Sequence, residues 1–136
     1  MAALTQPRNT PTIGPKARKI VTQVAASAKL FAGGGVCLNA TGFAVAAADT
    51  AGLTTWGRAE ETVDNTGGAD AALSMEVSRG VFGYKHTALV QADVGKTVYW
   101  SDDQTVTNAA TATNDIPAGT LEQLDADGTA WVRILP

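Results

Sequence analysis

The sequence predicts an all-β fold, a small β-barrel or β-sandwich with an extended N-terminal arm. Threonine occurs 18 times and glycine 14 times in 136 residues, whereas only 17% of the residues are charged. This composition favours strands and turns over helices, which would need more Leu, Glu and Lys. Turn residues also interrupt short apolar runs about every 8 to 12 positions, a spacing typical of a small sandwich or barrel.

The arm is predicted over residues 1–18 and the β domain over residues 19–136. Prolines at positions 7, 11 and 15 restrict the backbone and disfavour helix in the residues before them, so we expect an extended arm. The first strand is predicted at residues 20–24, where β-branched side chains cluster, although residues 23–31 would also fit one or two helical turns. The three consecutive glycines at positions 33–35 are interpreted as a flexible hinge.

The strands of the domain are predicted from alternating side chains bounded by turn residues. In residues 72–77, Leu73, Met75 and Val77 alternate with polar positions, and Arg79-Gly80 then predicts a bulge or bend. The best hairpin signal is at residues 97–107, where a polar turn at residues 101–104 separates two strands, and Asp-Gly at positions 127–128 supplies the positive φ of a second, tight hairpin. The predicted strands are residues 36–38, 43–46, 53–56, 72–77, 81–84, 97–100, 105–107, 119–124 and 129–135.

The apolar content predicts one core, and a lean one. Of the 61 hydrophobic residues, 25 are alanine, and a chain of this length is expected to form a single domain. No run approaches 18 consecutive apolar residues and no signal-peptide pattern is present, so neither a membrane span nor a secretory leader is expected.

The charges divide the chain into a basic and an acidic part. Residues 1–48 hold five bases and no acid, and residues 49–136 hold five bases and 13 acids. This asymmetry favours contacts between the basic part and an acidic partner surface. Nucleic acid is a disfavoured partner, because the few bases have no aromatic residues between them.

Few residues suggest chemistry, and each has a simpler structural interpretation. One cysteine, Cys37, and one histidine, His86, cannot form a disulfide or a common zinc site, so no cofactor, metal or catalytic residue is predicted. Cys37 is interpreted as a buried, inert thiol and His86 as an ordinary loop residue. The acidic groups are interpreted as turn or surface residues rather than calcium ligands or paired catalytic carboxylates: Asp102, Asp103, Asp125, Asp127, Glu60, Glu61 and Asp64.

The tryptophans are either core anchors or exposed contacts. Adjacent strand residues face opposite sides, so one of Tyr99 and Trp100 must point away from the core. Trp131 should likewise face away from Val132 and its neighbours. Tyr99, Trp100 and Trp56 are therefore candidates for contacts between copies of the chain or with a partner surface.

Five motifs in the second half of the chain resemble the small capsid cement, or decoration, proteins of tailed bacteriophages. These proteins carry a G-V-F strand, a G-D-x-V-Y-W-D strand opening, a V-T return, a glycine-containing segment and a closing V-R-V-x-L strand. This chain departs from the second motif at Lys96 and Ser101. The corresponding residues here are Gly80-Val81-Phe82, Gly95-Lys96-Thr97-Val98-Tyr99-Trp100, Val106-Thr107, Ile116-Pro117-Ala118-Gly119 and Trp131-Val132-Arg133-Ile134-Leu135. The resemblance covers residues 70–136.

The resemblance implies a structural protein and not an enzyme. Such a protein is made in the host cytoplasm, binds the outside of the icosahedral head and clamps neighbouring major capsid subunits together, as a homo-oligomer with a trimer favoured over a dimer. The predicted partners are thus the major capsid protein and further copies of the chain, with no membrane. Within this interpretation, the predicted capsid-binding arm residues are Arg8, Ile13, Lys16, Arg18 and Lys19. The candidate aromatic contacts, Tyr99, Trp100 and Trp56, would then face another copy of the chain or the capsid.

Two other function classes fit the sequence less well. A carbohydrate- or surface-binding β-sandwich would use exposed tryptophans, and Trp100→Ala would then abolish glycan binding. A small hydrolase would need a nucleophile and a base in a recognisable context, which the sequence lacks.

Overall fold

The computed structural model describes residues 2–134, and for residues 12–18 it describes the backbone only. Strands dominate this range, and its helical content is a short 3₁₀ turn at Gln91–Asp93. The prediction of an all-β fold is confirmed. The strands are β1 (Thr12–Gln23), β2 (Lys29–Leu30), β3 (Gly35–Leu38), β4 (Ala44–Ala46), β5 (Thr54–Ala59), β6 (Val63–Asp64), β7 (Ser74–His86), β8 (Thr97–Asp102), β9 (Thr105–Thr107), β10 (Pro117–Leu124) and β11 (Ala130–Ile134).

Strands β7 to β11 close into a five-stranded barrel. β11 pairs with β10, β10 with β8 and β8 with β9, all antiparallel. β7 completes the ring by pairing with β11 antiparallel and with β9 parallel. Closing the ring gives each of these five strands two neighbours and so removes open edges from the barrel.

Strand β7 connects the barrel to the remaining strands. Its first half extends past the barrel and lies between β1 and β5, so that Ser78 pairs with both Lys19 and Arg58. From β5 the sheet continues to β3 and then to β4. β2 and β6 form a separate two-stranded sheet.

Two hydrophobic clusters lie along β7 where the sequence predicts a single core. The buried positions of β7 change from Met75 and Val77, in the first cluster, to Phe82 and Tyr84, in the barrel. This change from odd to even positions occurs across Arg79-Gly80, where a bend was predicted. The barrel cluster contains Cys37, Ala47, Phe82, Tyr84, Leu89, Val98, Trp100, Val106, Ile116, Ala118, Leu121, Ala130, Val132 and Ile134. The other contains Val24, Leu30, Val36, Ala44, Ala59, Val63, Met75 and Val77.

The irregular pairing at Gly80 lies in β1, while β7 itself is continuous. Ile13 pairs with Val81 and Arg18 pairs with Arg79, so four residues of β1, 14–17, stand opposite the single residue Gly80. A proline fits such an irregular stretch because its missing N–H does not interrupt a regular ladder. β1 therefore runs through Pro15, and the predicted boundary between arm and domain at residue 18 falls within a strand.

The two hairpins predicted in the second half are present. In the last one, Gly128 has φ +93° and Asp125 N–H donates to the Thr129 carbonyl over 2.9 Å. β11 ends at Ile134, and Leu135 lies outside the described residues. No helix within residues 2–134 has the length and apolar character needed to span a bilayer.

Candidate interaction surfaces

Residues 2–11, called here the N-terminal segment, lie against the body of the protein and bind it largely through main-chain atoms. Arg8 N–H donates to the Ala32 carbonyl over 2.9 Å, and Gly83 N–H donates to the Pro11 carbonyl over 2.8 Å. Main-chain bonds of this kind are how an extended peptide is held at a sheet edge. The residues of the body that contact the segment, here called the segment groove, are Ala32, Gly33, Gly34, Arg58, Gly83, Asp103 and Gln104.

The start of the segment is fixed by the turn between β8 and β9. Leu4 N–H donates to Asp103 Oδ1 over 2.9 Å, and Gln104 Nε2 donates to the Ala2 carbonyl over 2.7 Å. The same turn closes the best hairpin that the sequence predicts. This short turn therefore both connects two strands of the barrel and binds the N-terminal segment.

Two arginines lie over aromatic rings of β7 and also bond to carbonyls. The Arg8 guanidinium lies 5.6 Å from the Tyr84 ring centroid, and the Arg58 guanidinium lies 4.3 Å from that of Phe82. Arg58 Nη1 donates to the Thr10 carbonyl over 2.8 Å. Such cation–π contacts stabilise most when they are shielded from water. These arginines therefore couple the segment to the wall of the barrel.

The three consecutive glycines at positions 33–35 are packing positions, and the hinge interpretation is wrong. All three are buried. Gly33 has φ +89°, and a Cβ there would stand 2.0 Å from the Arg8 carbonyl oxygen. A Cβ at Gly35 would stand 2.4 Å from the ring of Trp100. Glycine is required here because neighbouring groups occupy the space that a side chain would fill.

The predicted capsid-binding arm residues have different positions. Arg8 is half-buried in the segment groove, where burial lowers the pKa of its guanidinium. Lys19 is exposed, and its Nζ lies 3.9 Å from a carboxylate oxygen of Glu76. An exposed pair of this kind contributes little stability, so Lys19 can bind another acidic group. The side chains of the other three, Ile13, Lys16 and Arg18, lie outside the described residues.

Trp100 is a core residue, which corrects its assignment as a candidate contact. Its side chain is fully buried, and its Nε1 donates to Thr55 Oγ1 over 2.9 Å. Its ring meets that of Tyr84 edge to face, with centroids 5.2 Å apart. Because Gly35 leaves room for the indole, the largest side chain in the protein fills the barrel. Glycan binding through an exposed Trp100 is thus ruled out.

Tyr99 faces away from Trp100, as the alternation of strand residues predicts. Its half-buried ring lines an open groove of about 580 Å³ on the outside of the barrel. Leu89, Lys96 and Asn108 also line this groove. Trp131 is half-buried as well, beside the buried Val132, and its Nε1 donates to Asp125 Oδ2 over 2.8 Å.

Trp56 occupies a β-bulge in β5. Its neighbours Thr55 and Gly57 pair with the adjacent residues Cys37 and Val36, so Trp56 is the extra residue. Bulges redirect a side chain out of the regular alternation. The half-buried Trp56 ring lies 4.2 Å from the Arg79 guanidinium, and its Nε1 donates to Thr22 Oγ1 over 2.8 Å.

Asp103 is an aspartate buried beneath the N-terminal segment. Burial raises its pKa, the bond from Leu4 N–H opposes that shift, and the adjacent Asp102 adds to it. The hydroxyl of Tyr84 and Oδ2 of Asp102 are also buried, and neither has a hydrogen-bond partner. Buried polar groups of this kind are costly, which makes this region sensitive to the position of the segment.

The residues considered for chemistry have structural roles. Cys37 is fully buried, and burial raises its pKa to about 11, as expected of an inert thiol. His86 is the last residue of β7 and pairs with Val106 of β9, so its interpretation as a loop residue is wrong. Asp127 Oδ1 accepts a bond from Thr129 N–H over 3.0 Å, and Asp125 bonds within the same turn. Between residues 2 and 134 no three His, Cys, Asp or Glu side chains are grouped to hold a metal ion.

The remaining acidic residues are tied to nearby groups. Glu60 forms a two-bond ion pair with Arg58 Nη2, at 3.0 and 2.9 Å. Glu61 accepts a bond from Glu76 N–H over 2.9 Å, and Asp64 accepts one from Thr66 N–H over 3.0 Å.

Sequence reasoning missed most of the segment groove. Arg58 and Gly83 carry no local motif, and Asp103 was interpreted only as a turn or surface residue. The bonds that join these residues to the segment connect positions distant in sequence. The one local signal is the run of three glycines at positions 33–35. Such a run indicates either a flexible backbone or a backbone that other groups approach closely. Composition alone does not distinguish these two.

Comparison of the chain with models of protein families, with curated proteins and with solved structures gave no match.

Proposed function

We propose that this protein is a structural virion protein, which binds the outer surface of an icosahedral phage head and cements neighbouring major capsid subunits. One observation carries the proposal. The motifs that resemble phage cement proteins fall in or beside the five strands β7 to β11, and these strands together form the closed barrel. Each motif thus lies on a different strand of one complete structural unit, and this supports the proposal.

Strand β1 is the proposed attachment element. It is 12 residues long, and in the described part of the chain it pairs with no strand other than β7. An exposed strand edge offers unpaired N–H and C=O groups to an extended segment of a neighbour. Val21 is 71% exposed on this strand, and Lys19 lies two residues away. A capsid strand could pair with this edge through its main chain, and an acidic side chain on that strand could bind Lys19.

The protein acts without catalysis and as a homo-oligomer, with a trimer favoured over a dimer. A symmetric oligomer presents several copies of β1 to a symmetric shell, so weak individual contacts add up to stable attachment. Its place is the exterior of the virion. Half-buried Trp56 and Tyr99 are the aromatic residues that remain available for contacts with the capsid or between copies.

Sedimentation with empty heads tests the proposal. Heads are assembled from a major capsid protein encoded beside this gene, and bound protein is measured in the pellet. We expect saturable binding that Val21→Asp weakens at least tenfold, because the new charge would be buried at the paired edge. Val90→Asp is the matched control, since Val90 is also exposed, at 58%, but lies outside β1.

Absence of the parent protein from the pellet, at concentrations up to tens of micromolar, would overturn the cement function. Equal binding of the Val21 and Val90 variants would overturn the role of β1 alone. Removing residues 2–19 would be a poorer test, because it would delete most of β1 together with the segment.

A further inference from the structure

We infer that the segment groove is a peptide-binding site for this chain's own N-terminal segment, and that a second copy supplies this segment in the oligomer. The inference concerns contacts between copies and does not depend on binding to a phage head. It rests on how the segment is bound, how the groove is shaped and how the segment is connected.

The segment is bound as a separate peptide would be. Five of its main-chain groups bond to the body: the carbonyls of Ala2, Thr10 and Pro11, and the N–H groups of Leu4 and Arg8. All their partners lie in the body, at least 24 residues away in sequence. None of these bonds depends on which copy of the chain provides the segment.

The groove is shaped for this sequence. Gly33 leaves room for the Arg8 carbonyl, and the Gly33 carbonyl accepts the Thr10 hydroxyl. A Cβ at Gly34 would come within 3.0 Å of the Leu4 side chain. A groove that accommodates one peptide so closely favours a second copy of that peptide over an unrelated partner.

The connection to the body allows exchange. Residues 14–17 form the irregular stretch of β1 opposite Gly80, and they begin with Gly14-Pro15. A short irregular link between two well-bound parts is the usual site of segment exchange between copies. When the link opens, each segment leaves its own groove and reaches the identical groove of a neighbour. The contacts are unchanged, so protein concentration decides between the two arrangements.

Disulfide trapping between different chains tests the inference. Gln104 Nε2 and the Ala2 carbonyl are 2.7 Å apart, so the two residues meet at the same end of the segment groove. A single chain that carries cysteines at both positions therefore shows first whether the pair satisfies the geometry of a disulfide. One chain carries Ala2→Cys with a mass tag, and the other carries Gln104→Cys. The two are mixed in denaturant, refolded together over a range of concentrations and oxidised without capsids. Buried Cys37 stays unreactive in both chains.

We expect a disulfide between the tagged and untagged chains, at least tenfold more abundant than in a control mixture of Ala2→Cys with Ala109→Cys. Ala109 is exposed but lies outside the segment groove, so this mixture measures random collisions. The linked product should increase with protein concentration. A single chain with both Ala2→Cys and Gln104→Cys checks that the pair can form.

Two results would overturn exchange. In the first, the doubly substituted chain oxidises fully within itself at every concentration. In the second, the mixed chains link no more than the control mixture. Either result would leave the cement function untouched, because the experiment contains no capsid.

Discussion

At Gly33, one missing side chain decides whether the N-terminal segment can bind. Its φ of +89° already disfavours other residues, and the Arg8 carbonyl fills the place of a Cβ. We expect Gly33→Ala to lower the free energy of unfolding by about 2–4 kcal/mol, as the sum of backbone strain and displacement of the segment. Urea unfolding followed by tryptophan fluorescence measures the change.

Gly95→Ala separates these two causes. Gly95 has φ +90°, but nothing lies within 4 Å of the position of its Cβ. This variant should show backbone strain alone, about 1–2 kcal/mol. If the two variants lose the same stability, close approach of Arg8 is not what requires glycine at position 33.

Asp103 should make the stability of the protein depend on pH in an unusual direction. Its folded-state pKa is raised, mainly by burial. The folded state therefore holds a proton more tightly than the unfolded state, where the pKa is about 3.9. The resulting destabilisation is fully present above the folded pKa and is relieved as pH falls through that value.

Asp103→Asn removes this charge, and its amide oxygen can still accept the bond from Leu4. We expect its advantage in unfolding free energy over the parent protein to be largest near pH 7 and to shrink toward pH 4. Comparing the two proteins at each pH cancels the opposite contributions of Asp49, Asp64 and Asp125, whose pKa values hydrogen bonds lower. An advantage that stays constant across this range would contradict the prediction.

Among the elements, the N-terminal segment and the barrel differ in how much of the fold depends on them. Neither hydrophobic cluster contains a residue from positions 2–11. We expect a chain that lacks residues 2–11 to fold with the same far-ultraviolet circular dichroism but with about 1–3 kcal/mol less stability. This estimate reflects several hydrogen bonds near 1 kcal/mol each, offset by the entropy of ordering the segment. If the truncated chain lost the circular dichroism signal of β-sheet, the barrel would need the segment in order to fold.

The elements that sequence reasoning located correctly are those specified by neighbouring residues. The Asp-Gly turn and its flanking strands lie where expected, because alternation and turn chemistry act over a few positions. β2 and β6, with two residues each, were missed because so short a strand has no period. β1 begins eight residues before the predicted start at position 20, because pairing with the distant strand β7 extends it through Pro15.

The candidate contact residues show the same dependence on distant parts of the chain. Alternation correctly separated Tyr99 from Trp100, but the choice between core and surface depended on Gly35, more than 60 positions away in the chain. Trp56 lies at a bulge, which shifts the alternation itself. The fold class thus follows from local pattern, while the groove and the buried tryptophan follow from packing between distant residues.

At the scale of the whole molecule, the shortage of large apolar side chains corresponds to two small clusters in place of one large core. One cluster fills a closed barrel around Trp100, and the other lies beneath β1 and β5. Small cores bury less surface for each residue that must be ordered, so they leave a small margin of stability. Such a protein gains proportionally more from any partner that binds only its folded state.

Binding to heads should therefore raise the unfolding temperature markedly. At free binding-site concentrations 100 times the dissociation constant, binding adds about 2.7 kcal/mol. For a domain of this length that corresponds to roughly 10 °C. Differential scanning calorimetry of the free protein, of empty heads and of the two together measures the shift. Val21→Asp should remove most of it, and Val90→Asp should leave it intact. If the parent protein unfolds at the same temperature on saturated heads as in free solution, binding does not stabilise the folded state and the prediction is wrong.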